Sequence, residues 1–297
     1  MNVFLTGGTG LIGRTILNKI NISPFVLCAT FRNHKIEDVN VNWVRLDASK
    51  CSQYEINQLV EKQDIIIHNA ASLKLGNSLD EIKEIQKINI EFTEKLLEAS
   101  VKQNIKKFIF TSTLSSIKKP LPKFITEESE INPISFYSKS KIECEQLIKK
   151  YADENKFNYC ILRVSSPVSD FEFLPNNVLK KWISLGLKNQ RLLVFGNGSR
   201  TQDFVSVNDI ASAIFCSIEK IDVNGVFNIA SGNSISMYEL AQLISEKFNN
   251  GFENIGIDEN EEDRWNISIE KAKNELNYMP KYTSIKNITN LLEKINK

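Results

Sequence analysis

Tyr137 and Lys141 stand four residues apart in Tyr137-Ser138-Lys139-Ser140-Lys141, a spacing that puts a phenol and an ammonium on one face of a helix. An unperturbed phenol titrates near pH ~10, too high for easy proton exchange at neutrality, and a neighbouring positive charge favours the phenolate. The pair predicts an acid/base centre in which Tyr137 exchanges a proton with a reacting oxygen while Lys141 tunes it. Spacing alone decides little, because Tyr282 and Lys286 repeat the pattern. Position separates them: Tyr137 opens a helix between two strands, whereas Tyr282 lies in the tail. The strand end Phe108-Ile109-Phe110-Thr111-Ser112-Thr113 supplies hydroxyls to hold the substrate oxygen, with Thr113 the first choice and Ser112 the alternative. Either hydroxyl could instead bond its own loop backbone.

Such a centre needs a partner, and Thr6-Gly7-Gly8-Thr9-Gly10-Leu11-Ile12-Gly13 supplies a place for one. The glycines join a short apolar strand, Met1 to Leu5, to a helix in which Ile12, Ile16 and Ile20 recur every fourth residue. Gly7 or Gly8 makes the turn, Gly10 lets backbone approach phosphate, and Gly13 lets the helix pack close, with free N–H groups facing the anion. The second strand ends in Thr30-Phe31-Arg32-Asn33 with no carboxylate. Arg32 there suits a 2′-phosphate, because guanidinium pairs with phosphate through two parallel bonds, so NADP(H) is expected and NAD(H) is the alternative. Lys35 could also meet that phosphate. Asp47 either accepts from an adenine amino group or caps a helix. Ala70 and Ala71, after the buried strand Asp64–His68, would leave room for the dinucleotide or tighten helix packing.

Strand-like runs at Val26–Phe31, Trp43–Leu46, Asp64–His68, Lys107–Thr111, Tyr159–Val164 and Gly225–Ile229 alternate with helical segments, among them Glu84–Lys102, Ser135–Asn155 and Val178–Gly186. That alternation predicts an α/β fold, a doubly wound parallel sheet of Rossmann type with a smaller C-terminal substrate-binding lobe. Residues 1–165 would form the dinucleotide-binding domain and 166–297 mainly the lobe, with 203–231 returning to the main sheet. The acidic stretch Asp258–Asp263 reads as a solvated loop.

At 297 residues and a formal charge of +1, with no basic stripe, the chain points away from nucleic acid and toward a small molecule. No apolar run reaches the ~20 residues of a membrane helix, and Met1 leads straight into a strand, so a cytoplasmic, soluble protein is expected. Five scattered cysteines suit reduced thiols rather than a disulfide framework, and no metal site is expected. Only His34 and His68 are present, which leaves little for a His-based hydrolase.

With these residues in view, the chain resembles the extended short-chain dehydrogenase/reductase family, also called the NAD-dependent epimerase/dehydratase family. The motifs in order are Thr6–Gly13, His68–Ala71, Asn89 before a long helix, Thr113, and Tyr137–Lys141. Gly196-Asn197-Gly198, Asp203–Asp209 and Phe227–Ala230 resemble its sugar-nucleotide branch. The resemblance implies a catalytic triad of Thr113, Tyr137 and Lys141, and a cofactor wall of Gly7, Thr9, Gly10, Leu11, Ile12, Gly13, Arg32, Asp47, Ala48, Asn69, Ala70, Ala71, Asn89 and Val164. It implies a substrate side at Ser166, Arg200, Gln202 and Arg264, and a homodimer through Glu84–Lys102 and Ser135–Asn155, which exposed apolar residues there would support. Ser166 stands where nucleotide-sugar members carry Asn, and Gln202 where they carry Arg; Arg200 and Arg264 are the candidates to replace that charge. Dehydratases of the family carry Asp-Glu after the catalytic Thr, and Leu114-Ser115 follows it here. The expected activity is reduction or epimerisation of a nucleotide-linked keto sugar. The alternatives are reduction of a non-nucleotide aldehyde or ketone, and a non-catalytic NADP(H)-binding regulator.

Overall fold

The computed structural model describes residues 1–20, 25–36, 41–74, 76 and 78–295, with the side chain of Ile20 outside that description. The first half runs β1 (Asn2–Thr6), α1 (Leu11–Ile20), β2 (Val26–Phe31), β3 (Val41–Arg45), α2 (Gln53–Val60), β4 (Ile65–His68), α3 (Leu79–Ile85), α4 (Phe92–Lys102), β5 (Lys107–Thr113), α5 (Phe136–Asn155) and β6 (Asn158–Val164). The second half runs β7 (Ser166–Val168), α6 (Val178–Leu187), β8 (Leu192–Phe195), β9 (Thr201–Gln202), β10 (Phe204–Ser206), α7 (Val207–Glu219), β11 (Gly225–Ile229), β12 (Ile235–Ser236), α8 (Met237–Phe248), β13 (Phe252–Ile255), α9 (Glu270–Leu276) and α10 (Ser284–Lys294).

Seven parallel strands form the central sheet in the order β11-β6-β5-β4-β1-β2-β3. Its strands are apolar on both faces, as a sheet covered twice requires. Val3, Leu5, Ile65 and Ile67 meet Ile16 and Leu17 of α1 and Ile210 and Ile214 of α7 on one side. Phe4, Ile66, Phe108 and Phe110 meet Ile56 of α2, Leu96 and Leu97 of α4 and Ile148 of α5 on the other. The chain reverses direction across the sheet between β1 and β4, which opens a crevice at the strands' carboxyl ends.

The second half builds its own apolar cluster from Leu179, Trp182 and Ile183 of α6, Leu192 and Val194 of β8, Leu240 and Ile244 of α8, and Ile288 and Leu291 of α10. Three small two-stranded sheets frame it: β7 with β10, β9 with β12 and β8 with β13. β11 leaves this region to pair with β6 from Gly225 to Ile229.

The helix expected over Glu84–Lys102 starts earlier, because Ser78 and Glu81 form a reciprocal capping box before Leu79. A wide π-helical turn over Gln86–Glu91 then separates α3 from α4. The acidic segment 258–263 is not simply solvated: Asp263 is buried against Lys119 at 2.5 Å, and Asp258 pairs with Arg200 at 2.8 Å. Among the described residues no helix is long and apolar enough to cross a membrane, and no metal-binding group of His, Cys, Asp and Glu assembles.

Candidate active site

A cavity of about 600 Å³ follows the carboxyl edge of the sheet. Its middle is the glycine turn. Gly7 has φ +70°, and a β-carbon there would sit 2.9 Å from the Ala70 backbone, so only glycine lets β1 and β4 end this close together. The Gly8 N–H is held by Thr30 O at 3.0 Å, and the Gly10 N–H by Gly7 O at 3.0 Å. Gly7, Thr9, Gly10, Leu11 and Ile12 line the cavity floor, with Asn69, Ala70 and Ala71 across from them. Gly13 lies behind this floor. A β-carbon there would collide with Gly7 O, so Gly13 lets α1 close on the turn rather than meeting a ligand. A floor of backbone at a helix start, with no side chain in the way, fits a dinucleotide pyrophosphate.

One end of the cavity is walled by Phe31, Arg32, Asp47 and Ala48. Arg32 is exposed, whereas Lys35 is exposed outside the wall. Asp47 caps no helix: α2 starts at Gln53 with Ser52 as its cap. Its Oδ1 accepts from the Ser49 hydroxyl at 2.7 Å and the Ser49 N–H at 3.0 Å, and those bonds hold its carboxyl below the ordinary range.

Thr111, Thr113, Tyr137, Lys141 and Val164 wall the other end. The Ser135 hydroxyl caps α5 by accepting from Ser138 N–H at 3.0 Å, which starts the helix at Phe136 and presents Tyr137 and Lys141 on its inner face. Lys141 is buried with Nζ 3.9 Å above the Phe110 ring, and burial lowers its pKa to about 8. Burial also pushes the Tyr137 phenol up to about 12, so in this protein alone desolvation outweighs the pull expected from Lys141. Thr113 Oγ1 donates to Ser115 Oγ at 3.0 Å and accepts from Ser115 N–H at 3.1 Å at the cavity wall. The Ser112 hydroxyl is committed elsewhere. It donates at 2.5 Å to Glu145, which pairs with Arg163 at 2.7 Å in the buried layer behind the wall.

Asn89 also sits behind the wall. Its amide accepts from Ser72 N–H at 2.7 Å and donates to Ser72 O at 3.2 Å and to Ser140 Oγ at 2.9 Å, while Ser140 Oγ donates to Tyr137 O at 2.8 Å. Asn89 therefore holds the wall and α5 rather than lining the cavity. Behind it runs a chain of fixed direction. Thr93 Oγ1 donates to Asn89 O, so it accepts from His68 Nε2 at 2.8 Å. His68 Nδ1 then accepts from Thr6 Oγ1 at 2.7 Å, which leaves Thr6 lone pairs for the Asn69 and Ala70 N–H groups at 3.2 and 3.1 Å. Burial, with Lys141 acting in the same sense, keeps His68 neutral by holding its pKa well below the usual value.

The four substrate candidates do not reach this end. Gln202 Nε2 donates to Ser166 Oγ at 2.9 Å, and the cavity wall is formed by Ser165, Pro167 and Pro175 instead. Arg200, paired with Asp258, lines a second cavity together with Asn176, Asn177, Lys181, Trp182 and Phe195, next along the chain from Pro175. Arg264 donates to the carbonyls of Glu261 and Asp263 at 2.6 and 3.2 Å. Tyr282 and Lys286, the second phenol–ammonium pair, flank the start of α10 outside the crevice.

Thr111, Ser165, Glu145 and Arg163 were not expected. Arg163 in an otherwise apolar strand and Glu145 one turn beyond Lys141 were the available signals. Thr111 lines the cavity, and its hydroxyl oxygen is buried with no hydrogen-bond partner among the described residues.

Residues 3–230 match the profile of the NAD dependent epimerase/dehydratase family. The chain belongs to this family. It is accordingly an NAD(P)-dependent enzyme of the extended short-chain dehydrogenase/reductase type. Human dTDP-D-glucose 4,6-dehydratase is 27% identical over 260 residues, which cover 82% of this chain and 74% of the human one. The UDP-glucose 4-epimerase of Thermotoga maritima, solved with UDP-glucose, superposes with a TM-score of 0.85 at 24% identity, covering 99% of this chain and 98% of that one. MoeE5, solved with UDP-glucuronic acid and NAD, superposes with a TM-score of 0.84 at 19% identity over 99% of this chain and 98% of that one. In this family member the outer positions of α4 are Glu94, Glu98 and Lys102, and among the described residues no large apolar side chain is exposed on α4. The helix pair expected to join two copies thus shows Phe136 as its one exposed large apolar residue on α4 and α5.

Proposed function

We propose that this enzyme moves a hydride between a nicotinamide dinucleotide and the keto carbon of a nucleotide-linked sugar, by reduction or epimerisation. The carrying observation is that Thr113, Tyr137 and Lys141 share the wall at one end of a dinucleotide-shaped crevice. A bound dinucleotide would supply or accept the hydride. Tyr137 would exchange the proton at the sugar oxygen, Thr113 would orient that oxygen, and Lys141 would hold the nicotinamide ribose and lower the phenol's pKa in the loaded site.

The second cavity, with Lys181 and Arg200 beside Trp182 and Phe195, suits a diphosphate and a base. Dehydration is disfavoured although a dehydratase is among the relatives. Leu114, at the position of the first acid, is 1% exposed within the core, and Ser115 is bonded to Thr113. A second reading, reduction of a non-nucleotide aldehyde or ketone, is favoured by one observation: Arg200 and Arg264 are already held by Asp258 and by backbone carbonyls. Incubation with UDP- and dTDP-hexoses and their 4-keto forms should give epimer or reduced product with no loss of water. Turnover of simple ketones alone would replace the nucleotide-sugar reading, and inertness toward every carbonyl would leave a dinucleotide-binding regulator.

For the cofactor we infer NADP(H), because Arg32 guards the adenine end and Asp47, the one carboxylate lining it among the described residues, is held by Ser49. Arg32→Asp should lower NADP affinity by about tenfold or more while sparing NAD, an effect expected for loss of a charge-assisted pair. Equal affinity of the natural protein for both cofactors, unaltered by the substitution, would remove Arg32 from this role. The five cysteines are free thiols, as a cytoplasmic location would allow.

A further inference from the structure

Asp203, between β9 and β10, is fully buried, and no Lys or Arg among the described residues pairs with it. Its Oδ1 accepts from Ser165 Oγ at 2.6 Å and Ser231 N–H at 3.0 Å, and its Oδ2 accepts from Ser231 Oγ at 2.7 Å. Burial pushes this carboxyl up, and the donors bonded to its two oxygens pull the other way; with donors alone as its partners it is read as ionised, and in a dry interior that charge acts over distance with little screening. Ser165 is its link to the crevice. That residue lines the reactive end with Val164, Tyr137 and Lys141, and its hydroxyl hydrogen is directed at Asp203, which leaves its oxygen free to accept.

Lys141 brings the opposite charge to the same end. A cation beside a nicotinamide ring opposes its oxidised form, which carries a positive charge that the reduced form lacks. We propose that Asp203, acting through Ser165, offsets Lys141 and makes the crevice favour the oxidised over the reduced nicotinamide. The inference rests on the dinucleotide reading above and deepens it: a preference for the oxidised form restores the resting cofactor after each transient reduction, as epimerisation requires.

The test is the ratio of dissociation constants for oxidised and reduced cofactor, measured by calorimetric titration of the full chain without substrate. In Asp203→Asn the oxidised form should weaken by about fivefold or more relative to the reduced form, the change expected for removing one poorly screened charge. Ser165→Ala, a milder change, should move the ratio in the same direction by about twofold, as loss of one oriented hydroxyl does. A merely structural Asp203 would weaken both forms alike, so an unmoved ratio in the folded variants overturns the proposal. Should Asp203→Asn fail to fold, Ser165→Ala decides. Failure of the natural protein to bind either form would sink the dinucleotide reading itself, a result distinct from an unmoved ratio.

Discussion

Tyr137→Phe should slow hydride transfer by about a thousandfold, within the range that a positioned proton donor contributes, while cofactor affinity changes by less than about twofold. The ring is retained, so packing at the start of α5 survives and the removed atom is the one that exchanges the proton. Burial alone sets the phenol at about 12, which keeps it protonated but a weak acid, and Lys141 and the positive charge developing on the nicotinamide, by favouring the phenolate, make it a better donor. Reduction of a keto substrate should therefore lose its chemical step, seen as absent cofactor absorbance change in a single turnover, while titration of the cofactor remains normal. Preserved single-turnover reduction would exclude Tyr137 as the donor and turn attention to Thr113.

Much of this arrangement was legible in the chain because each feature has a local physical cause. The glycine turn, the apolar strands and the four-residue phenol–ammonium spacing all act within one or two elements. What was missed depends on contacts between distant segments. Asn89 carried the right residue type for the cavity, yet the π-helical turn around it sends its amide to Ser72 and Ser140. Ser112 and Thr113 are neighbours at a strand end that both reach the crevice, and only the fold decides that the Ser112 hydroxyl is taken by the buried Glu145 while the Thr113 hydroxyl bonds Ser115 at the wall. Arg200 and Arg264 looked like free charges because their partners, Asp258 and the carbonyls of Glu261 and Asp263, lie in a loop that nothing in its own composition ties to them. Asp203 was read as part of a motif, and the three serines that converge on it, Ser165, Ser231 and Ser284 through Ser231, come from separate regions of the fold.

Lys141→Met should make the protein more stable and the enzyme inactive. Lys141 is 3% exposed, its ammonium has the Phe110 ring 3.9 Å away, and burial lowers its pKa from 10.5 to about 8. Between those two values the unfolded chain holds a proton that the folded one has released, so stability rises with pH across about 8 to 10.5. Below about pH 8 both states are charged and the folded state bears the full burial penalty, at most about 3 kcal/mol. Methionine keeps the stem and drops the charge, so the cofactor-free variant should melt higher at pH 7 and lose much of the rise in stability between pH 8 and 10.5. Calorimetry without cofactor is the right measurement, since a ligand that binds the native state would mask the difference. A variant that melts lower, with the pH slope intact, would show that the ammonium is compensated in a way the crevice does not display. The expected pairing of higher stability with lost turnover gives the buried charge its reason: a lysine that opposes folding of the empty protein is retained because the reactive end of the crevice needs a cation in place before the substrate arrives.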